Sequence, residues 1–348
     1  MTKSLKVLCF GMGAIGTYIG GSLAVQGAQV TYIEKPELVQ GNQHPEITLE
    51  ISGEILKVKN VKITSDLRAA LKDEKFDVAL LAVKSFDTPS VLKMITKAQG
   101  SFPPILCLQN GVENEELIEE NLGTGSVIGG TITSAVGRSG LGSIRLEKLR
   151  GVGIEENHVL SPELIEWFNL AGLRARGYNS RADMKWSKML TNLLANATAA
   201  ILNWTPKQVF SDSRTWSIEL AQIRETLAVM KAMNIHLVNL PGTPVIGLMT
   251  LLRALPADLS RFLIGIPLAK GRGAKMPSFH IDLYAGKTLS EVSYLNGAVV
   301  RFAERYNIKT PVNHRLCVLL ERMSGGEIHK EDFANRPEKL MEWIRESE

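Results

Sequence analysis

The stretch LCFGMGAIGTYIGGSLAVQGAQVTYIEK, residues 8–35, constrains this chain more than any other. The apolar run LKVLCF ends at Gly11, and G-x-G-x-x-G follows at Gly11, Gly13 and Gly16. A helical pattern then runs to Val25, and a second apolar run, AQVTYI, leads to Glu34. Alone, the hexapeptide is weak evidence. Between a strand and a helix, with an acidic residue at the end of the next strand, it predicts a dinucleotide-binding turn. Gly11 permits the tight turn, Gly13 lets backbone approach a pyrophosphate, and Gly16 lets the helix pack closely on the strand. The phosphates would rest on the free amides around Ala14 and Ile15, at the positive end of the helix dipole.

Glu34 and Lys35 argue opposite ways about the cofactor. A carboxylate at the end of the second strand accepts hydrogen bonds from both ribose hydroxyls and repels a 2′-phosphate. Lys35, next along, pairs with that phosphate instead. NAD(H) and NADP(H) both stay open on this evidence, and no metal is expected.

Further strands follow. EITLEIS and EILKVKNVKI alternate with period two and predict a hairpin joined at Ser52-Gly53. FDVALLAVK, PPILCLQNG and SVIGGTITSAV are continuous apolar runs, as in strands covered on both faces. Strands alternating with helices predict an α/β, Rossmann-type, doubly wound parallel sheet over residues 1–180. From residue 181 the pattern turns to long helical stretches, at 184–203, 215–234, 245–275, 277–285, 290–306 and 310–323, which predict an all-α C-terminal domain over 181–348. Open α/β sheets bind ligands at the carboxyl ends of their strands. Lys84 and Asn110 both end apolar runs and are candidates there.

Composition narrows the function classes. Of 348 residues, 45% are hydrophobic and 22% charged, a soluble globular profile. The net charge of +4 is too small for a dedicated nucleic-acid binder. The three cysteines, Cys9, Cys107 and Cys317, form no C-x-x-C pattern, and the six histidines show no ligand spacing. No signal-peptide pattern opens the chain, and no uncharged apolar run reaches the roughly 18 residues of a spanning helix. A cytoplasmic enzyme acting on a small molecule is the expectation, with neither nucleic acid nor membrane as partner.

The helical half carries one unusual element, WSKMLTNLLANATAA at 186–200. Lys188, Asn192 and Asn196 recur every four residues, so on one helix they form a narrow polar stripe. Alanines and a threonine border it, and between Lys188 and Lys207 the sequence has no other charge. A solvated helix face is usually saltier.

The glycine loop, AVKSFDT, LQNGVENEE, the 186–200 helix and PSFHIDLYAGKTLSEVSYLNGAVVRFAERYNIKTPVN, in that order, resemble the ketopantoate reductase (2-dehydropantoate 2-reductase) family over essentially the whole chain. The resemblance implies a 2-keto acid substrate, most simply ketopantoate reduced to pantoate in pantothenate biosynthesis. It implies that Lys188 is the catalytic general acid and Glu291 its substrate-side partner. It further implies that Asn110, Asn192, Asn196 and Ser278 bind substrate, with Asn110 also facing the cofactor. The chemistry suits these types: a lysine polarises a carbonyl and donates a proton, while amides and a hydroxyl bond a carboxylate without further buried charge.

The chain departs from the family pattern in places. Lys275 and Pro277 stand where the family shows asparagine and serine, and Asn-Pro-Leu-Thr-Ala becomes NATAA. The segment 238–275 is longer and more basic than usual. It lines the cleft for a larger anionic substrate, lies on a membrane surface, or serves ordinary packing or subunit contact in a homodimer. The alternatives to a ketopantoate reductase are a reductase or dehydrogenase of a different 2-keto or 3-hydroxy acid, and a non-catalytic NAD(P)-binding sensor.

Overall fold

The structure, a computed structural model, describes residues 4–41, 46–98, 100–272 and 276–346. Twelve strands are found among them: β1 (Lys6–Phe10), β2 (Gln29–Ile33), β3 (Ile47–Ile51), β4 (Glu54–Val58), β5 (Lys62–Thr64), β6 (Val78–Leu81), β7 (Ile105–Cys107), β8 (Val127–Ile132), β9 (Ala135–Gly140), β10 (Ser143–Lys148), β11 (Val152–Glu155) and β12 (Ala175–Tyr178). The chain divides into two compact units, Met1–Lys185 with Leu240–Thr243, and Trp186–Asn239 with Pro244–Glu348.

The first unit is built on an eight-stranded sheet in the order β12-β11-β8-β7-β6-β1-β2-β5. The pairs from β5 through to β8 are parallel, with Phe10 opposite both Ile33 and Leu81, and Leu81 opposite Cys107. The carboxyl ends of β1, β2, β6 and β7 are therefore level, and Gly11, Glu34, Ala82 and Leu108 leave the sheet at one edge. Side-chain alternation sends Val7, Cys9, Tyr32, Leu80 and Leu106 to one face and Leu8, Phe10, Ile33, Leu81 and Cys107 to the other. Both faces are apolar because helices cover both, which is why these strands read as unbroken apolar runs.

Two features depart from the sequence expectation. β11 runs antiparallel to β8. Between them the chain makes a β9–β10 hairpin instead of a crossover helix, so it re-enters the sheet in the reverse direction. The run EILKVKNVKI is also two strands. β4 completes the hairpin with β3 across Ser52-Gly53, both at positive φ, whereas β5 turns away at Asn60 and joins β2. The hairpin and β9–β10 form a second sheet, β4-β3-β10-β9. The first helix, α1 (Ala14–Val25), packs on it so tightly that a Cβ at Gly21 would lie 2.8 Å from Ile47.

The second unit is helical. Its core gathers Trp186, Met189, Leu190, Leu193, Ile201, Phe210, Trp216 and Phe302, all 4% exposed or less. Trp216 Nε1 donates to Ser260 Oγ and to the Ala257 carbonyl, which pins the turn Ala257–Ser260 to the long helix Ser213–Ala232. The expected helix over 245–275 is several: Val245–Ala254, Ala257–Ser260, a π turn at Arg261–Gly265, and Ile266–Arg272. Lys275 lies outside the described residues. No described helix is long and apolar enough to cross a membrane.

Candidate active-site residues in the two units

In the first unit the glycine loop has the geometry its spacing predicts. Gly11 sits at φ +93°, and a Cβ on Gly16 would lie 1.9 Å from the Gly11 carbonyl oxygen. A Cβ on Gly13 would meet nothing within 4 Å among the described residues. The loop is thus closed on the strand side at Gly16 and open at Gly13, the N-cap of α1. No acidic residue lies in the first turn of α1, where Ala14 and Ile15 are half-buried. Open backbone at a helix N-terminus fits a dinucleotide pyrophosphate.

Glu34 takes a direct part in the loop. Its carboxylate accepts the Met12 N–H, and it also accepts the Lys35 N–H at 3.2 Å. Lys35 itself is exposed at the start of the next helix, Pro36–Gln40. Burial, reinforced by the Glu34 carboxylate, pushes the Cys9 thiol up, so Cys9 behaves as a core residue.

The loops after β6 and β7 are braced to each other. The Asn110 carbonyl accepts from Ser85 Oγ (3.0 Å) and Asn114 Nδ2 (2.8 Å). Gln109 Nε2 donates to the Val83 carbonyl and to Thr88 Oγ1. Lys84 is half-buried, and its carbonyl starts a short 3-10 turn by accepting the Asp87 N–H. Asn110 is exposed at the carboxyl end of β7. The bracing therefore fixes its backbone and leaves its side chain at the surface of the unit.

A buried ion pair, absent from the sequence reading, underlies this mesh. Lys185 Nζ lies 2.7 Å from Glu115 Oε1, each side chain 3% exposed, and donates to the carbonyls of Gln109 (2.7 Å) and Gly130 (3.2 Å). Burial pulls the lysine down, but Glu115 and Cys107 together outweigh it and the ammonium is held above its ordinary range. Lys185 ties the segment after β7, one residue before Asn110, to the middle of β8. In sequence it is only one more lysine on a helix start.

In the second unit the polar stripe is real for one turn only. Lys188 and Asn192 are half-buried on the helix Arg181–Leu193, and the Lys188 carbonyl accepts Thr191 Oγ1. The continuous helix expected over 184–203 is broken at Leu194–Asn196, where Ala195 takes φ +52°, and a second helix runs over Ala197–Leu202. LLANATAA holds neither glycine nor proline, so nothing local announces the break. Its cause is tertiary: the Ala195 N–H is taken at 2.6 Å by Glu219 Oε2, buried on the helix Ser213–Ala232.

The break redirects Asn196. Its Oδ1 accepts the Phe279 N–H at 3.2 Å, in the first turn of the helix Ser278–Tyr284. Asn196 is 6% exposed, and the adjacent Ser278 is exposed. Two candidate residues 82 positions apart are thereby neighbours. Glu291 opens a 3-10 turn, Glu291–Tyr294, and is buried there at 4% exposure. Ser290 Oγ caps this turn at the Val292 N–H.

Comparison with known proteins follows the same division. Residues 7–157 match the ketopantoate reductase PanE/ApbA family, and residues 182–324 match the ketopantoate reductase PanE/ApbA C-terminal family. A 2-dehydropantoate 2-reductase of Pyrococcus horikoshii is 26% identical over 332 residues, 92% of this chain and 99% of its own. One of Lactococcus lactis is 25% identical, covering 88% and 94%. A PanE/ApbA family ketopantoate reductase structure from Ralstonia eutropha superposes with a TM-score of 0.78 at 26% identity, covering 93% and 100%. A D-mandelate dehydrogenase in complex with NADH and anilino(oxo)acetate shares the fold, with a TM-score of 0.74 at 21% identity over 92% and 99%.

Proposed function

The chain belongs to the ketopantoate reductase family, an oxidoreductase acting on CH–OH groups, and from that premise we propose that it reduces 2-dehydropantoate to pantoate, with NADH as reductant and Lys188 as general acid. The observation that carries this reading is the pairing of Asn196 with the start of the helix at Ser278. With its Oδ1 engaged by the Phe279 N–H, the amide of Asn196 has its two N–H donors left for a ligand, and Ser278, next to Phe279, adds a hydroxyl. Neutral donors gathered in this way suit a carboxylate.

A reduced nicotinamide cofactor, which the glycine loop at Gly11, Gly13 and Gly16 together with Glu34 would hold, would supply the hydride. The residues of the chain handle the rest. The Lys188 ammonium bonds the carbonyl oxygen, draws charge onto it, and donates the proton that completes the hydroxyl. The neutral amine is then reprotonated from solvent. Asn192, Asn196 and Ser278 hold the carboxylate. Glu291 accepts a hydrogen bond from the substrate's other hydroxyl, a distinguishing group of pantoate precursors. A site that hydrogen-bonds a substrate hydroxyl discriminates strongly against keto acids lacking it.

Glu34 supports NADH. Its carboxylate is held at the glycine loop by the Met12 and Lys35 N–H groups, where a 2′-phosphate would meet fixed negative charge.

Replacement of Lys188 tests the assignment. Lys188→Ala lowers kcat by about a hundredfold or more, the scale of a lost general acid, while cofactor binding, read by fluorescence, is unchanged. Turnover within a few-fold of the parent protein contradicts the role.

A further inference from the structure

We propose that Glu219 is a positioning residue for substrate recognition. Its buried carboxylate holds the break at Ala195, and through that break it aims Asn196 at the start of the Ser278 helix. The proposal rests on the reading that Asn196 and Ser278 bind the keto acid carboxylate.

The local sequence gives no reason for the helix to stop. Ala, Leu and Asn at 194–196 continue helices, and alanine is the best helix former of all. A residue with a Cβ pays to enter the left-handed region, where Ala195 lies at φ +52°. The conformation persists only if something outside the segment compensates it. Glu219 Oε2 does so, accepting the Ala195 N–H at 2.6 Å with both residues wholly buried. A hydrogen bond to a carboxylate is roughly twice as strong as a neutral one.

The carboxylate is in turn held. Gln222 Nε2 donates to the same Oε2 at 2.8 Å and reaches the Leu193 carbonyl, the last of the broken helix, at 3.4 Å. Gln222 Oε1 accepts from Asn296 Nδ2, which also donates to Asn313 Oδ1, and Asn313 Nδ2 donates to Glu225 Oε2 and to the Gln222 carbonyl. One buried network thus handles both sides of the break.

The geometric consequence falls on Asn196. In a continuous helix it would extend the stripe of Lys188 and Asn192 by one more turn. In the broken one it starts the next helix, Ala197–Leu202, and its Oδ1 accepts the Phe279 N–H. Glu219 lies outside the set that touches substrate and acts through the backbone between Leu193 and Ala197.

The test compares Glu219→Leu, Glu219→Gln, Asn196→Ala and the double variant Glu219→Leu/Ala195→Gly in the full chain. The readouts are KM and kcat for ketopantoate, cofactor affinity and thermal midpoint. Glu219→Leu is expected to raise KM more than about tenfold with cofactor affinity unchanged. Glu219→Gln retains an oxygen for the Ala195 N–H and stays within about threefold. Glycine enters the left-handed region without help, so the double variant recovers KM to within about fivefold, and it supplies the reading if Glu219→Leu alone does not fold. A parent-like KM in Glu219→Leu, or in Glu219→Leu/Ala195→Gly a KM still raised as far as in Asn196→Ala, overturns the positioning role. A parent-like KM in Asn196→Ala removes the underlying substrate reading and the proposal with it, whereas a raised KM there beside a parent-like Glu219→Leu overturns the positioning role alone.

Discussion

At the scale of single residues, the sequence exposed chemistry where local pattern demanded it and hid chemistry that only folding assembles. The three glycines were legible because each has a backbone reason visible in the strand–turn–helix frame. Lys185 and Glu115 were not, since their meaning lies in a contact between residues 70 positions apart. Their pairing has a measurable consequence. Removing one partner of a buried pair strands the other charge, so Lys185→Met is expected to cost about 3–5 kcal/mol in chemical denaturation, and Lys185→Met/Glu115→Leu to regain most of it. A full-cost double variant contradicts this. The pH dependence has a definite sign. The folded ammonium is held above its ordinary range, so its contribution is whole below the ordinary lysine value of about 10.4 and is lost as pH rises through the folded value. Lys185→Met should flatten that alkaline loss.

At the scale of elements, strands buried on both faces and helices with clear apolar arcs were read to within a few residues. The misread elements share one cause: their boundaries are set by partners distant in sequence. β5 leaves the hairpin because β2 offers it a parallel edge, and the Lys188 helix stops because Glu219 receives its amide. Where a local signal exists, the boundary follows it. Asp212 caps the helix Ser213–Ala232 by accepting the N–H groups of Arg214 and Thr215. Asp212→Ala is expected to cost about 1 kcal/mol, typical of a lost cap. A hydrogen bond from Arg214 holds its carboxyl below the usual range, against a smaller opposing effect of burial. The cap's contribution is therefore present above about pH 3.9 and lost as pH falls through the folded value, an acid-side dependence that the alanine variant should lack.

At the scale of the whole molecule, the order of motifs carried more than any one of them. A glycine loop identifies a class of cofactor. The same loop followed by Lys84, Asn110, the Lys188–Asn192–Asn196 helix and Glu291 points to a family, and the matches over residues 7–157 and 182–324 agree. The sequence could not show that residues 240–243 return to the first unit, where Thr133 Oγ1 donates to the Pro241 carbonyl, because that return depends on a contact 108 residues away. Nor could it show that Glu34, and not Lys35, bonds the glycine loop at the Met12 N–H. The most direct test is the rate at which purified protein oxidises NADH, and separately NADPH, in the presence of ketopantoate. The account predicts turnover with a kcat/KM at least about tenfold higher for NADH, equivalent to some 1.4 kcal/mol of discrimination by Glu34. Cofactor binding without turnover of ketopantoate contradicts it.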